Sequence, residues 1–152
     1  MPPELFRQFS FFKPIDERQL AQLAAIAAER SYQPGEILFE EGASADWLYL
    51  VLSGAIELWM RVDGLGRAVL VDVVGPGGII GWSTLVPPHK NTACGKARCS
   101  SQVIAIDSSQ LKQMVEKDHS LGFYVYRQVA FVIAQRLQDL RCRLAGLLRA
   151  AA

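Results

Sequence analysis

A chain of 152 residues can bury one substantial core but not two. Its composition, 51% apolar and 20% charged with a net charge of +1, is ordinary for a soluble globular protein. The longest apolar-rich stretches, residues 20–28 and 129–134, fall well short of the about 20 residues that span a bilayer, so no membrane segment is expected. The start, Met1-Pro2-Pro3-Glu4, lacks the basic and apolar regions of a secretory signal. Three cysteines (Cys94, Cys99, Cys142) form no Cys-x-x-Cys pair, so neither a disulfide framework nor a zinc site is suggested. A reduced cytoplasmic protein is the simplest expectation.

The chain opens on a helix expected within residues 5–29. Asp16 fits an N-cap, and Leu20, Leu23, Ala24, Ala27 and Ala28 fall at helical spacing. Pro34-Gly35 then makes a turn. Residues 30–107 read as short strands at 37–39, 47–52, 55–61, 67–74, 91–98 and 102–106. They are punctuated by Glu41-Gly42, Ser53-Gly54, a hairpin turn at Asp63-Gly64-Leu65-Gly66, and Gly75-Pro76-Gly77-Gly78. Such regular spacing predicts a β-sandwich or closed roll.

Residues 108–150 turn helical again. Asp107 fits an N-cap with Gln110 at the capping-box position, opening a short helix to about Lys117. A longer helix is expected from about Ser120 to Arg149. Within it Tyr126, Ala130, Ile133, Leu137, Leu140, Leu144 and Leu147 alternate spacings of four and three, a heptad seam about three repeats long. In a parallel pair, Arg136 and Arg141 would face each other and repel unless acids from elsewhere neutralise them. Two readings stay open: a homodimer helix, which is favoured, or a helix whose apolar stripe lies on its own roll. Residues 121–152 also carry five arginines (Arg127, Arg136, Arg141, Arg143, Arg149) against one acid, Asp139. An anionic partner is one cause of such a bias, but a solvated helix face is the commoner one.

Tyr32, Pro34-Gly35, Ile37, Glu41-Gly42, Leu48-Tyr49-Leu50-Val51, Ser53-Gly54, Gly81 and Ala93…Ala97 stand at the corners and strands of this pattern. With the order helix, roll, short helix, long helix, they resemble the cyclic-nucleotide-binding domain family. Its members include the ligand domains of the catabolite activator protein and of kinase regulatory subunits. The resemblance covers about Leu5 to Leu148. It implies a single domain over residues 1–152, mainly β with flanking helices. The core would be an eight-stranded double-stranded β-helix, jelly-roll-like, with an N-terminal helix and a short plus a long C-terminal helix.

Ligand chemistry in the family sits in a phosphate-binding cassette, where a short helix aims backbone N–H groups at a cyclic phosphate. A glutamate holds the ribose, and an arginine meets the phosphate. The resemblance places the cassette at Gly81-Trp82-Ser83-Thr84-Leu85-Val86-Pro87-Pro88-His89-Lys90-Asn91-Thr92-Ala93. Trp82 then falls on the glutamate and Asn91 on the arginine. Thr92 falls on the small or hydroxyl residue that follows. Indole donates one hydrogen bond and accepts none, and an amide carries no charge. A charge-assisted bond contributes about 1.5–3 kcal/mol, so losing two costs several powers of ten in affinity. Lys90 is the nearest substitute cation, but neighbours on a strand point to opposite faces. Ser83 and Thr84 retain backbone donors. The resemblance also implies a lid on the long helix near Tyr124, Arg127 and Gln128.

Competing readings accompany these residues. Trp82 closes the pocket, stacks on a flat ligand, or fills the empty ribose site as core. Pro87-Pro88 reads as a rigid connector. Cys94 and Cys99 read as buried small hydrophobes. His89 and His119 have no third ligand at metal spacing. Gly75-x-Gly77-x-x-Ile80 is turn glycine and not a dinucleotide fingerprint. The cysteines and histidines with which oxygen-sensing and haem-binding relatives hold iron are missing from the corresponding stretches.

The reading that follows is a non-enzymatic regulatory or sensor domain, homodimeric through its last helix, that does not bind cyclic AMP in the usual way. Its expected ligand, with no other cofactor, is a different nucleotide or another small, less acidic molecule. The alternative is a ligand-free dimerisation or docking module passing signals to a partner protein. Neither a DNA-binding domain nor membrane attachment is expected, since the chain stops at Ala152 and the apolar helix face is committed to packing.

Overall fold

The computed structural model describes residues 1–62, 64 and 66–152. Eight strands form two antiparallel four-stranded sheets. In spatial order, the first sheet holds β1 (Ala27–Tyr32), β8 (Ser101–Asp107), β3 (Trp47–Ser53) and β6 (Ile79–Ile80). The second holds β2 (Ile37–Phe39), β7 (Cys94–Ala97), β4 (Ile56–Val62) and β5 (Arg67–Val74).

Side-chain alternation along the strands sets the layers. On β3, Tyr49 and Val51 enter the core between the sheets, while Leu48 and Leu50 join a second core under the helices. On β8, Val103 and Ala105 face one way, and Ile104 and Ile106 the other. Both strands are thus buried on two faces, which is why they read as nearly continuous apolar runs. Tyr49 stacks on Phe39 with ring centroids 5.7 Å apart, and its hydroxyl donates to the Leu38 carbonyl at 3.3 Å. Burial pushes its phenol well above the ordinary range, so it acts as a neutral donor.

The N-terminal segment departs from the expected helix over residues 5–29. The helix is only α1, Glu17–Ala25, opened by a complete capping box between Asp16 and Gln19. Two 3₁₀ turns precede it, Pro3–Gln8 and Ser10–Phe12, burying Phe6, Phe11 and Phe12. Ala27 and Ala28, expected in the helix, pair as strand residues with Ile106 and Ala105. The roll therefore begins at Ala27 and not at residue 30. Six residue pairs along β8 outweigh the modest helical preference of two alanines.

Other strand limits shift for local reasons. The strand expected over residues 91–98 begins at Cys94, because Asn91 is bonded to the loop after β2. The two-residue β6 has no counterpart among the expected runs. The hairpin turn expected at Asp63-Gly64-Leu65-Gly66 lies partly outside the described residues, which omit Asp63 and Leu65. The strands on either side of it pair from Ile56↔Val74 to Val62↔Arg67. At the β3–β4 corner Gly54 has φ +85°, and an added Cβ would stand 2.2 Å from Ser101 Oγ. The expectation of two buried thiols fails: Cys94 is half-buried and Cys99 exposed, as is Cys142. Gly95 and Ala97 take the inward positions of β7, leaving Cys94 and Lys96 on the outward side.

At the C-terminal end α2 spans Ser108–Lys117, with the Asp107 carboxylate accepting from the Gln110 amide at 2.9 Å. Next comes α3, His119–Ala151, opened by Asp118 accepting from the Leu121 amide at 3.1 Å. No helix among the described residues is long and apolar enough to cross a membrane.

Candidate functional site

The segment between β6 and β7 forms one face of the site. Gly81 adopts φ 89°, and a Cβ there would stand 2.6 Å from the Trp47 carbonyl oxygen. Only glycine lets the chain turn this close to β3. A single 3₁₀ turn follows, Trp82–Thr84, in which the Thr84 amide donates to Gly81 and the Leu85 amide to Trp82, each at 3.0 Å. Among the described residues, the amides of Trp82 and Ser83 have no protein acceptor. Thr84 is fully buried, its hydroxyl has no partner among the described residues, and its carbonyl lies 3.0 Å from His89 Nδ1. Of the two residues expected to offer amides, only Ser83 lines the cavity.

Asn91 is buried and committed to structure. Its side-chain amide donates to the Glu40 carbonyl at 3.1 Å. Its backbone amide donates to Ala43, and its carbonyl accepts from Gly42. One residue thus fastens the loop between β2 and β3. Lys90 is exposed and bridges to Ser44, away from the cavity, whereas Thr92 stands exposed at the cavity rim.

The space between Gly81–Ser83 and Asn91–Ala93 is about 30 Å³ and shares Leu58, Trp82, Thr92, Ala93 and Arg136 with its neighbour. That is room for one or two waters. Beside it opens a larger cavity of about 300 Å³. Leu58 and Met60 of β4, Val71 of β5, and Trp82 and Ala93 form its walls, and Ile133, Leu137 and Leu140 of α3 close it. Trp82 lines both spaces.

Charge is concentrated at one edge of the larger cavity. Arg136 Nε lies 3.8 Å from Asp72 Oδ2, and its guanidinium also donates to the Ile79 carbonyl. Arg143 lies 3.7 Å from Asp72 Oδ1 and donates to the Val71 carbonyl. Burial pulls the Arg136 pKa down, and the nearby Asp72 carboxylate opposes that shift. Asp72 is thus an acid from elsewhere that neutralises Arg136, while among the described residues Arg141 makes no ion pair.

The three residues expected as a lid lie before the part of α3 that lines the larger cavity. Tyr124 packs half-buried on the helical core, Arg127 is exposed, and Gln128 faces the Gly75–Gly78 loop. None of the three lines the larger cavity, which α3 covers farther on, from Ile133 to Arg143. Capping at Asp118 fixes the phase of α3, turning Leu121, Val125 and Val129 into the protein. Arg136 and Arg143 continue that face toward the roll. Sequence reasoning missed Leu58, Met60, Val71 and Asp72. The one available signal was Asp72, a lone carboxylate within the apolar run Val69-Leu70-Val71-Asp72-Val73-Val74.

Along the seam, Tyr126, Ala130, Leu137, Leu140, Leu144 and Leu147 are exposed, and only Ile133 packs half-buried. Leu144 and Leu147 are 57% and 70% exposed, so this end of the stripe does not lie on the roll.

A family model for the cyclic nucleotide-binding domain matches residues 29–118. The chain is similar to a solved protein from Geobacter metallireducens GS-15 described as cyclic nucleotide-binding. That match has 32% identity and a TM-score of 0.81, over 90% of this chain and 98% of the other. It is also similar to the N-terminal domain of a transcriptional regulator from Streptomyces coelicolor A3(2), at 29% identity and a TM-score of 0.68, covering 90% and 94% of the two chains. A CRP-like cAMP-activated global transcriptional regulator of Mycobacterium tuberculosis is 22% identical over 95% of this chain. The chain spans 62% of that relative's length. With a matching family model over more than half its length and the same two-sheet roll and helices, the chain belongs to the cyclic nucleotide-binding domain family.

Proposed function

We propose that this chain is a non-enzymatic regulatory domain whose cassette does not hold cyclic AMP in the family's usual way. The observation that carries the reading is the cavity of about 30 Å³ between Gly81–Ser83 and Asn91–Ala93. Trp82 adjoins it where a ribose-binding carboxylate is expected. Asn91, where an arginine is expected, has its side-chain amide turned to the Glu40 carbonyl. Both charge-assisted anchors are absent, a loss of several powers of ten in affinity.

The sensing space is instead the adjoining apolar cavity under α3. A ligand there contacts the roll and α3 at once. It therefore favours one docking of the helix over another by its differential affinity for the two. The close approach at Gly122, where a Cβ would stand 2.8 Å from the Val115 carbonyl, ties α2 to the start of α3 and carries the shift between them. The unpaired cysteines fit a reducing cytoplasm.

A thermal-shift titration with cyclic AMP, cyclic GMP and cyclic dinucleotides tests the reading. No saturable rise in melting temperature is expected up to millimolar ligand. A saturable rise at micromolar cyclic AMP contradicts it. One observation favours a second reading, a dimerisation or docking module: the exposed Leu137, Leu140, Leu144 and Leu147 stripe. That stripe pairs with its copy in a second chain, with or without a ligand in the roll.

A further inference from the structure

Resting on the reading that the cassette is too narrow for the usual ligand, we propose that the cavity beside Trp82 takes a flat, uncharged aromatic molecule bearing one carbonyl group. Its ring lies along Trp82, and its carbonyl oxygen accepts from Arg136. The cavity's size, about 300 Å³, is at the lower end of small-molecule sites, which run from about 300 to 1,000 Å³. Most of its wall is aliphatic or aromatic, which favours a ring over a sugar, whose hydroxyls would lose hydrogen bonds to water and regain none.

Charge balance decides against an ion. Among the described residues that line the cavity, the ionisable ones are Asp72, Arg136, Asp139 and Arg143, two carboxylates against two guanidiniums. They match by depth as well. Arg136 and Asp72 are half-buried and stand 3.8 Å apart, while Asp139 and Arg143 are exposed and one helical turn apart on α3. Arg143 also reaches Asp72 at 3.7 Å. With no net charge at this edge, a carboxylate or phosphate entering the cavity loses its water and gains no counter-charge. A neutral ligand meets no such cost.

Hydrogen bonding decides for a carbonyl. A guanidinium has five N–H donors. Among the described residues, only the Ile79 carbonyl accepts directly from Arg136. The 3.8 Å to Asp72 exceeds the about 2.7–2.9 Å of a direct charge-assisted bond. Asp72 itself accepts from the Val73 amide at 2.8 Å, which holds it back on its own strand. Arg136 lines both the cavity and the narrow space beside it, so its remaining donors adjoin the ligand. One uncharged oxygen satisfies such a donor and leaves the charge balance intact.

Isothermal titration calorimetry on the full chain, at neutral pH and low salt, tests this with 2-naphthamide, the 2-naphthoate anion, 2-methylnaphthalene and cyclic AMP. The amide is expected to bind about tenfold or more tightly than the anion, and likewise than methylnaphthalene, which has no acceptor. Arg136→Met keeps an apolar stem but no donor, and should weaken the amide by about tenfold. Should that half-buried variant not fold, the exposed Asp139→Asn serves instead. It leaves one positive charge in excess and should shift the preference toward naphthoate severalfold at low salt. Equal or tighter binding of naphthoate, no gain of amide over methylnaphthalene, a preference unmoved by Asp139→Asn, or no binding of the amide overturns the inference. If the amide and cyclic AMP both fail to bind, this inference falls while the narrow-cassette reading stands. Micromolar binding of cyclic AMP overturns both, since the site then accepts an anion.

Discussion

Asn91 serves the fold as a loop fastener. Where the family resemblance calls for a phosphate-binding cation, this residue ties the β2–β3 loop by its side chain and by both backbone groups. Asn91→Ala removes the side-chain bond and leaves the Glu40 carbonyl without that donor. A loss of about 1–3 kcal/mol is expected, seen as a fall in melting temperature of several degrees with no change in ligand response. At this scale the sequence was half informative. Trp82 and Asn91 could be recognised as departures from the pattern, because their chemistry excludes the roles of carboxylate and guanidinium. That Asn91 would bond a loop carbonyl could not be read, because a side chain's partner depends on the packing around it. Thr84 makes the same point: expected to offer a donor to a ligand, it is fully buried and does not line the cavity.

Among the elements, caps were the most legible. Asp16 and Asp107 stand before helices where their side chains can accept from a first-turn amide, and both do. Asp118 does the same for α3 and also accepts from Gln19 Nε2 of α1 at 3.0 Å, joining two helices at one carboxylate. The Gln19 hydrogen bond, with the Leu121 amide and nearby Arg18, lowers its pKa below the usual carboxylate value. A lowered pKa means that Asp118 contributes stability above the unfolded carboxylate pKa and loses it as pH falls through the folded value. Urea denaturation of Asp118→Asn should therefore show a flatter acid limb below about pH 4 than the parent chain. β1 was illegible for the opposite reason. Ala27-Ala28-Glu29-Arg30-Ser31-Tyr32 has no apolar alternation, and its strand state comes from β8, far away in sequence. Which part of α3 lines the larger cavity depends on helix phase and on the Asp72 contact, neither of which periodicity specifies.

For the whole molecule, the roll and its helices were legible because glycine corners and alternating strands are local signals. The cavity was not, since Asp72 and Arg136 meet only through the fold. The exposed seam bears on how this chain assembles. A concentration-dependent dimer in analytical ultracentrifugation, converted to monomer by Leu140→Arg with Leu147→Arg, is the expected behaviour of a helix-paired domain. A monomer at all concentrations would leave the stripe to a different partner. Calorimetric titration of the chain with cyclic AMP shows whether the narrow cassette excludes the usual ligand. No saturable heat is expected up to millimolar nucleotide. Micromolar, one-to-one binding would show that the space between Gly81 and Ala93 opens for the nucleotide, and would contradict that expectation.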